Sequence, residues 1–216
     1  MHRPARRCKP CLLRASVSSI SVRALVNFFK TLVAVVVGLS LGLAMTYLSV
    51  ERGLGFGAVR AGPWTGWPKT GSRDADPYAR AVLSRTGETP LGSAEGLSFI
   101  ARNDSNGSLL DSACDYVVSS PVPPARWWTL TPLAPDGRLL DNSAHIHGVT
   151  SAELVRSVDG DFQITISHAA RAGNWLPVTP NKPFLLLLRL YDTTISATAS
   201  ALDNAAMPSI TRGQCS

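Results

Sequence analysis

An uncharged run of 20 residues, Thr31 to Val50 (TLVAVVVGLSLGLAMTYLSV), constrains this chain more than any other feature of it. As a helix it would be about 30 Å long, the thickness of a bilayer's hydrocarbon core. Lys30 closes one end, Glu51-Arg52 the other, and Tyr47 lies near one boundary, where aromatic rings prefer to sit. Charge is divided sharply by this run. Residues 1–30 hold seven Lys or Arg and no acidic group, whereas residues 31–216 hold 14 basic and 15 acidic groups. The formal net charge of +6 therefore belongs to the tail, and a nucleic-acid-binding domain is excluded as a reading. Positive charge ahead of the span predicts a cytoplasmic N-terminus, the lipid bilayer as first partner, and export of everything after residue 50.

Gly42-Leu43-Ala44 offers the small residues a signal peptidase reads. The apolar run continues past them, however, and exceeds a signal core of about 7–15 residues, so an uncleaved signal-anchor is expected. The organisation read from this is a basic cytoplasmic tail over 1–30, a transmembrane signal-anchor helix over 31–50, a linker over 51–73 and an exported domain over 74–216. Gly38 and Gly42 stand at the G-x-x-x-G spacing that lets two membrane helices approach. Small residues are common in such helices, so a homodimer through this face is carried as an alternative.

Cys8 and Cys11 form a C-x-x-C in the tail, without the further ligands of a zinc site, and read as reduced thiols. Cys114 and Cys215 are the two cysteines after the span. A pair in an oxidising compartment is usually bonded, so a disulfide is expected, closing a loop of about 100 residues.

Within the exported part, Gly, Pro and Trp without periodicity make 51–73 a linker. Asp76 as N-cap and Pro77 at the first helical position start one short helix, Pro77 to Thr86. From Leu97 onward the signals are β: LSFIAR, a turn at Asn106-Gly107, CDYVVSS, ARWWTLTPL, and LVRSV-DG-DFQITIS as a hairpin about Asp159-Gly160. Thr150 to Glu153 reads as a one-turn capping box. KPFLLLLRLYD is apolar on both faces and is predicted to be a central strand, while Thr193–Ser216 reads as a surface wrap. Short strands punctuated by Gly and Pro predict a mainly β fold, an antiparallel β-sandwich with one or two short helices.

ARWWTLTPLAPDGRLLDN, TSAELVRSVDGDFQITIS, NWLP and PFLLLLRLYD together resemble the bacterial family known as domain of unknown function 1214. DPYARAVLSRTGETPLGSAEGLSF resembles the segment upstream in its short, single-span, exported members. The resemblance implies a jelly-roll-like sandwich and a bacterial inner-membrane protein whose C-terminal domain is periplasmic. It implies no catalytic residues, because the family has no established activity.

Two groups of residues invite a chemical role. His145 and His147 would share one face of a strand and could bind a metal with Glu153, as a cupin does. The spacing to Glu153 is longer than a cupin's and a third histidine is not evident, so hydrogen-bonded or surface histidines are the reading taken. Trp127 and Trp128 must point to opposite faces of their strand. With Trp175, Asn142 and Arg189 they form the ligand-binding candidates, weighed against core packing for the indoles and an ion pair for Arg189. No phosphate loop or zincin motif occurs. The function read from the sequence is a membrane-anchored extracytoplasmic binding or envelope-accessory module, without a cofactor. The alternatives are a metal-dependent cupin-like enzyme at His145 and His147, or an oligomeric structural envelope protein.

Overall fold

The structure is a computed structural model that describes residues 18–52, 58–86, 90–92, 94–193 and 207–215. Cys8 and Cys11 lie outside the described residues. The chain divides between Tyr47 and Leu48 into two compact units.

The first unit is helical. Helix α1 runs from Ser18 to Arg52, so 18–30 of the expected tail is helix. Its apolar stretch, Val22–Leu48, spans 27 residues, or about 40 Å, and is long and apolar enough to cross a membrane. Two of its hydroxyls are satisfied within the helix: Thr31 Oγ1 donates to the Asn27 carbonyl at 2.9 Å and Ser40 Oγ to that of Val37 at 3.0 Å. This removes the cost of exposing them to lipid. Gly38 and Gly42 face open space.

The second unit is mainly β, two sheets packed face to face. Helix α2 occupies Pro77–Thr86, as the Asp76-Pro77 start predicts. The large sheet contains β1 (Val59–Ala61), β2 (Trp64–Gly66), β3 (Gly96–Ala101), β5 (Ala125–Leu133), β6 (Val149–Thr150) and β9 (Leu185–Thr193), in the order β1-β2-β3-β9-β5-β6. The small sheet contains β4 (Cys114–Ser119), β7 (Gln163–Ser167), β8 (Asn174–Pro177) and β10 (Ser209–Cys215), in the order β10-β4-β7-β8. One hydrophobic cluster joins them: Phe99, Leu186, Leu188, Leu190 and Trp128 from the large sheet meet Tyr116, Ile164, Ile166, Leu176 and Ile210 from the small one. The apolar strand Leu185–Thr193 is central, paired with β3 on one side and β5 on the other. Both of its faces are covered, which is why its residues do not alternate.

Four expectations are corrected. Part of the expected linker, 59–66, is a hairpin paired into the large sheet, with Trp64 fully buried. The expected C-terminal surface wrap contains β10, which pairs with β4 and buries Ile210. Residues 154–158 of the expected hairpin are not a strand: Gly160 makes the turn at φ +87°, but both edges of β7 are already taken by β4 and β8. The β7–β8 pair is parallel, so the small sheet is mixed rather than antiparallel. The capping box at Thr150 survives as a single turn, with the Glu153 carboxylate 3.4 Å from the Thr150 amide and no helix beyond it.

Cys114 and Cys215 are bonded, 101 residues apart in sequence, and tie the end of β10 to the start of β4.

Candidate functional site

The residues singled out in the sequence do not converge. Trp127 and Trp128 do face opposite ways. Trp128 is buried against Phe162, with ring centroids 5.1 Å apart, while Trp127 is 47% exposed and lies against Tyr191 at 5.7 Å. Trp175 belongs to the small sheet, where its indole N–H donates to the Ser167 carbonyl at 3.1 Å. Asn142 clamps its own loop: its Oδ1 accepts from the Ile146 amide at 3.1 Å and its Nδ2 donates to the Ile146 carbonyl at 2.9 Å. These contacts make it a loop-holding residue.

The histidine pair is also corrected. Residues 145–147 are loop, not strand, and His145 has φ +56°, so strand alternation does not place the two imidazoles on one face. His147 Nδ1 lies 3.1 Å from the Leu140 carbonyl oxygen. Among the described residues no three His, Cys, Asp or Glu side chains stand close enough to hold a metal ion.

Asp115, Ser167, His168 and Arg171 bring triad-like residue types together on the small sheet, but their contacts are already committed. Arg171 Nε donates to Asp115 Oδ2 at 3.1 Å. Burial pushes the Asp115 carboxyl up. Hydrogen bonds from Ser167 and Arg171 and the nearby charges of Arg171 and His168 outweigh it, so the net direction is down. The Ser167 hydroxyl donates to this carboxylate and accepts from the Ala169 amide.

A site does appear where local sequence carries no signal, along the β1–β2 hairpin and β3. Gly62, at φ +58°, and Pro63 make the two-residue turn between Ala61 and Trp64. The Trp64 indole N–H donates to the Pro208 carbonyl at 2.7 Å and pins the hairpin to the core. With Trp64 inward, Arg60 and Thr65 are register partners on the outer face, and Thr65 pairs in turn with Ile100. Beside this row is a cavity of about 320 Å³, the lower end of the range for small-ligand sites. Arg60, Thr65, Trp67, Arg102, Asn103 and Ser105 line it.

The far wall is held firmly. Asp104, itself in the lining, is 2% exposed. Its Oδ1 accepts from the Asn106 and Ser108 amides at 3.0 and 2.9 Å, and its Oδ2 lies 3.4 Å from Arg212 Nε. Ser105 exchanges bonds with Ile210 on β10, both at 2.9 Å. The strand that ends in the disulfide thus braces one wall of the cavity.

Trp67 and Ile100 also line a second, smaller cavity of about 40 Å³, beneath Leu83 of α2. The Trp67 indole nitrogen and the Ser98 hydroxyl, both lining it, are buried and have no hydrogen-bond partner among the described residues. Ser98 stands directly across from Arg189, which is half-buried and also opposite Thr129. Of the sequence-stated candidates, Arg189 is thus the one adjacent to this site by register.

The family model "Protein of unknown function (DUF1214)" matches residues 95–195, from the start of β3 to the end of β9. Over this stretch the chain is similar to the DUF1214 family. That stretch holds the Ser98, Ile100 and Arg102 side of the groove, whereas Arg60, Thr65 and Trp67 precede it. Among solved structures, the VPA0106 protein of Vibrio parahaemolyticus is similar with a TM-score of 0.54 and 20% identity, over 99% of this chain and 59% of that one. This chain therefore spans about three fifths of the Vibrio protein's length, and the likeness establishes the fold alone. An uncharacterised Burkholderia cenocepacia protein matches with a TM-score of 0.39 and 21% identity, over 68% of this chain and 46% of that one. No curated protein matches the sequence.

Proposed function

We propose that this chain is a DUF1214 protein and a single-pass protein of the bacterial inner membrane, with its N-terminus in the cytoplasm and its sandwich in the periplasm. There the sandwich acts as a non-enzymatic binding module that holds a small polar ligand in the groove beside β1–β3. The observation that carries the reading is the 320 Å³ cavity with Arg60, Trp67 and Arg102 in its wall. Support for the location comes from a helix of spanning length, seven basic residues ahead of the apolar run, and a disulfide of the kind that persists in oxidising compartments.

Two experiments test it on the full chain. A reporter active only outside the cytoplasm is expected to work after Ser216 and to fail after Lys30; a silent C-terminal fusion with normal expression refutes the topology. For binding, the detergent-solubilised protein is melted with acetate, succinate, glycerol 3-phosphate, inorganic phosphate, glucose or glycine. At least one should raise the melting temperature saturably, and Thr65→Trp, which fills the groove, should abolish the rise while leaving the circular dichroism of the sheets unchanged. No shift from any compound, or equal shifts in both proteins, removes the groove as a ligand site.

A further inference from the structure

We infer that the ligand is a small anion carrying a second, oxygen-bearing group. The anionic end would be held between Arg60 and Arg102, and the oxygen would enter the small cavity to accept from Trp67 and Ser98. The inference rests on the groove being a ligand site and deepens that reading.

Charge is the first argument. The groove is lined by two guanidinium groups and one carboxylate, and that carboxylate is spoken for: Asp104 accepts two backbone amides and faces Arg212. By composition the lining is net cationic, two guanidinium groups against one carboxylate. Arginine at such a place selects carboxylate or phosphate, whose paired oxygens match its donor fork. Asn103, Ser105 and Thr65 add uncharged polar groups around the same space.

The second argument is independent of charge. An indole nitrogen donates only and a hydroxyl can donate, so the two buried groups at the small cavity both lack an acceptor. Burying such groups unpaired is costly, and an oxygen atom between them removes that cost. The 40 Å³ available admits one small oxygen-bearing group, a hydroxyl, a carbonyl or a carboxylate, or water. Trp67 and Ile100 line both cavities, so a ligand seated at the arginines lies beside the entry to the small one. Among the remaining walls, Leu83, Pro90, Leu91, Leu97 and Pro68 are apolar and the Thr70 hydroxyl is bonded to the Trp67 carbonyl, which favours a short carbon chain between the two polar ends. The ligand class is therefore a short hydroxy or dicarboxylic acid, or the phosphate ester of a small polyol.

The test titrates glycerol 3-phosphate, succinate, inorganic phosphate and glucose into the detergent-solubilised full chain by calorimetry. Glycerol 3-phosphate or succinate should bind saturably and more weakly as salt rises. Arg60→Gln, and separately Arg102→Gln, should weaken it about tenfold or more. Trp67→Phe and Ser98→Ala should weaken glycerol 3-phosphate or succinate several-fold while leaving inorganic phosphate unaffected. Each of these two variants removes an unpartnered polar atom, so folding should be preserved. The same phosphate ester could belong to a soluble metabolite or to a lipid headgroup. Competition by dihexanoyl phosphatidylglycerol identifies the headgroup, and its failure to compete identifies the soluble ester. Binding of glucose but of no anion overturns the inference and leaves the groove a ligand site. Binding of nothing removes both. Unchanged anion affinity in the two arginine variants overturns the cationic half. Unchanged glycerol 3-phosphate and succinate affinity in Trp67→Phe assigns the small cavity to water and overturns the other half.

Discussion

Removing the Cys114–Cys215 bridge should cost a large part of the sandwich's stability without abolishing its fold. The bridge closes a loop of 101 residues. In the chain-entropy account a loop of that order restricts the unfolded chain by about 4.7 kcal/mol. The native state gives back little of this when the bond is cut, because β10 is held at its other end. Ile210 is fully buried, Pro208 accepts from the Trp64 indole at 2.7 Å, and Arg212 Nη2 donates to the Leu109 carbonyl at 2.8 Å. Cys215 itself sits beyond a register shift after Arg212, at the exposed end of the strand. Cys114→Ala/Cys215→Ala should therefore keep a native near-ultraviolet spectrum and lose about 3–5 kcal/mol. Urea unfolding of the full chain in detergent measures it. All five tryptophans lie between residues 64 and 175, so their fluorescence reports the sandwich and not α1. A loss below about 1 kcal/mol, or alkylation of both thiols in unreduced protein, would refute the reasoning.

Trp128→Ala should cost about 3–5 kcal/mol in the same assay, since it empties the space beside Phe162, whereas Trp127→Ala on the exposed face should cost under about 1 kcal/mol. His147→Gln should cost about 1 kcal/mol through its contact with the Leu140 carbonyl, and His145→Gly should raise stability by up to about 1 kcal/mol by relieving a positive φ. Melts of wild type with zinc, iron or a chelator should superimpose; a chelator that lowers the wild-type melting temperature but not that of a double His→Gln variant would restore a metal role. Asp115 is depressed in the fold, so its contribution is fully present above the ordinary carboxylate value of about 4 and is lost as pH falls through its lower folded value. Asp115→Asn should flatten that part of the acid limb in melts between about pH 2 and 5; an unchanged acid limb would show that the Arg171 contact does not act through this carboxylate.

Much of this molecule is written in local pattern. The apolar run ahead of Val50 and the caps that place α2 at Pro77–Thr86 are readable one residue after another. So are the strand Ala125–Leu133 with its two indoles on opposite faces and the doubly apolar strand that becomes the sheet's centre. Each is long enough, or sharply enough punctuated, for its own periodicity to identify it. The hairpin at 59–66 was not readable, because three-residue strands among Gly and Pro carry no period, and only docking of Trp64 into a core built from later residues makes them strands. The same holds for β10, which is a strand because β4 offers it an edge and Cys114 a bond. It also holds for 154–158, which has strand composition but finds both edges of β7 occupied. The groove follows the same rule. Arg60 comes from the hairpin and Trp67 directly follows it, Arg102 and Ser105 come from the segment after β3, and the wall is braced by residues near 210. Residue type and spacing decide what an element is, over about ten positions at a time. Which edges meet, and therefore which side chains share a cavity, is decided by closure of the whole chain around one core.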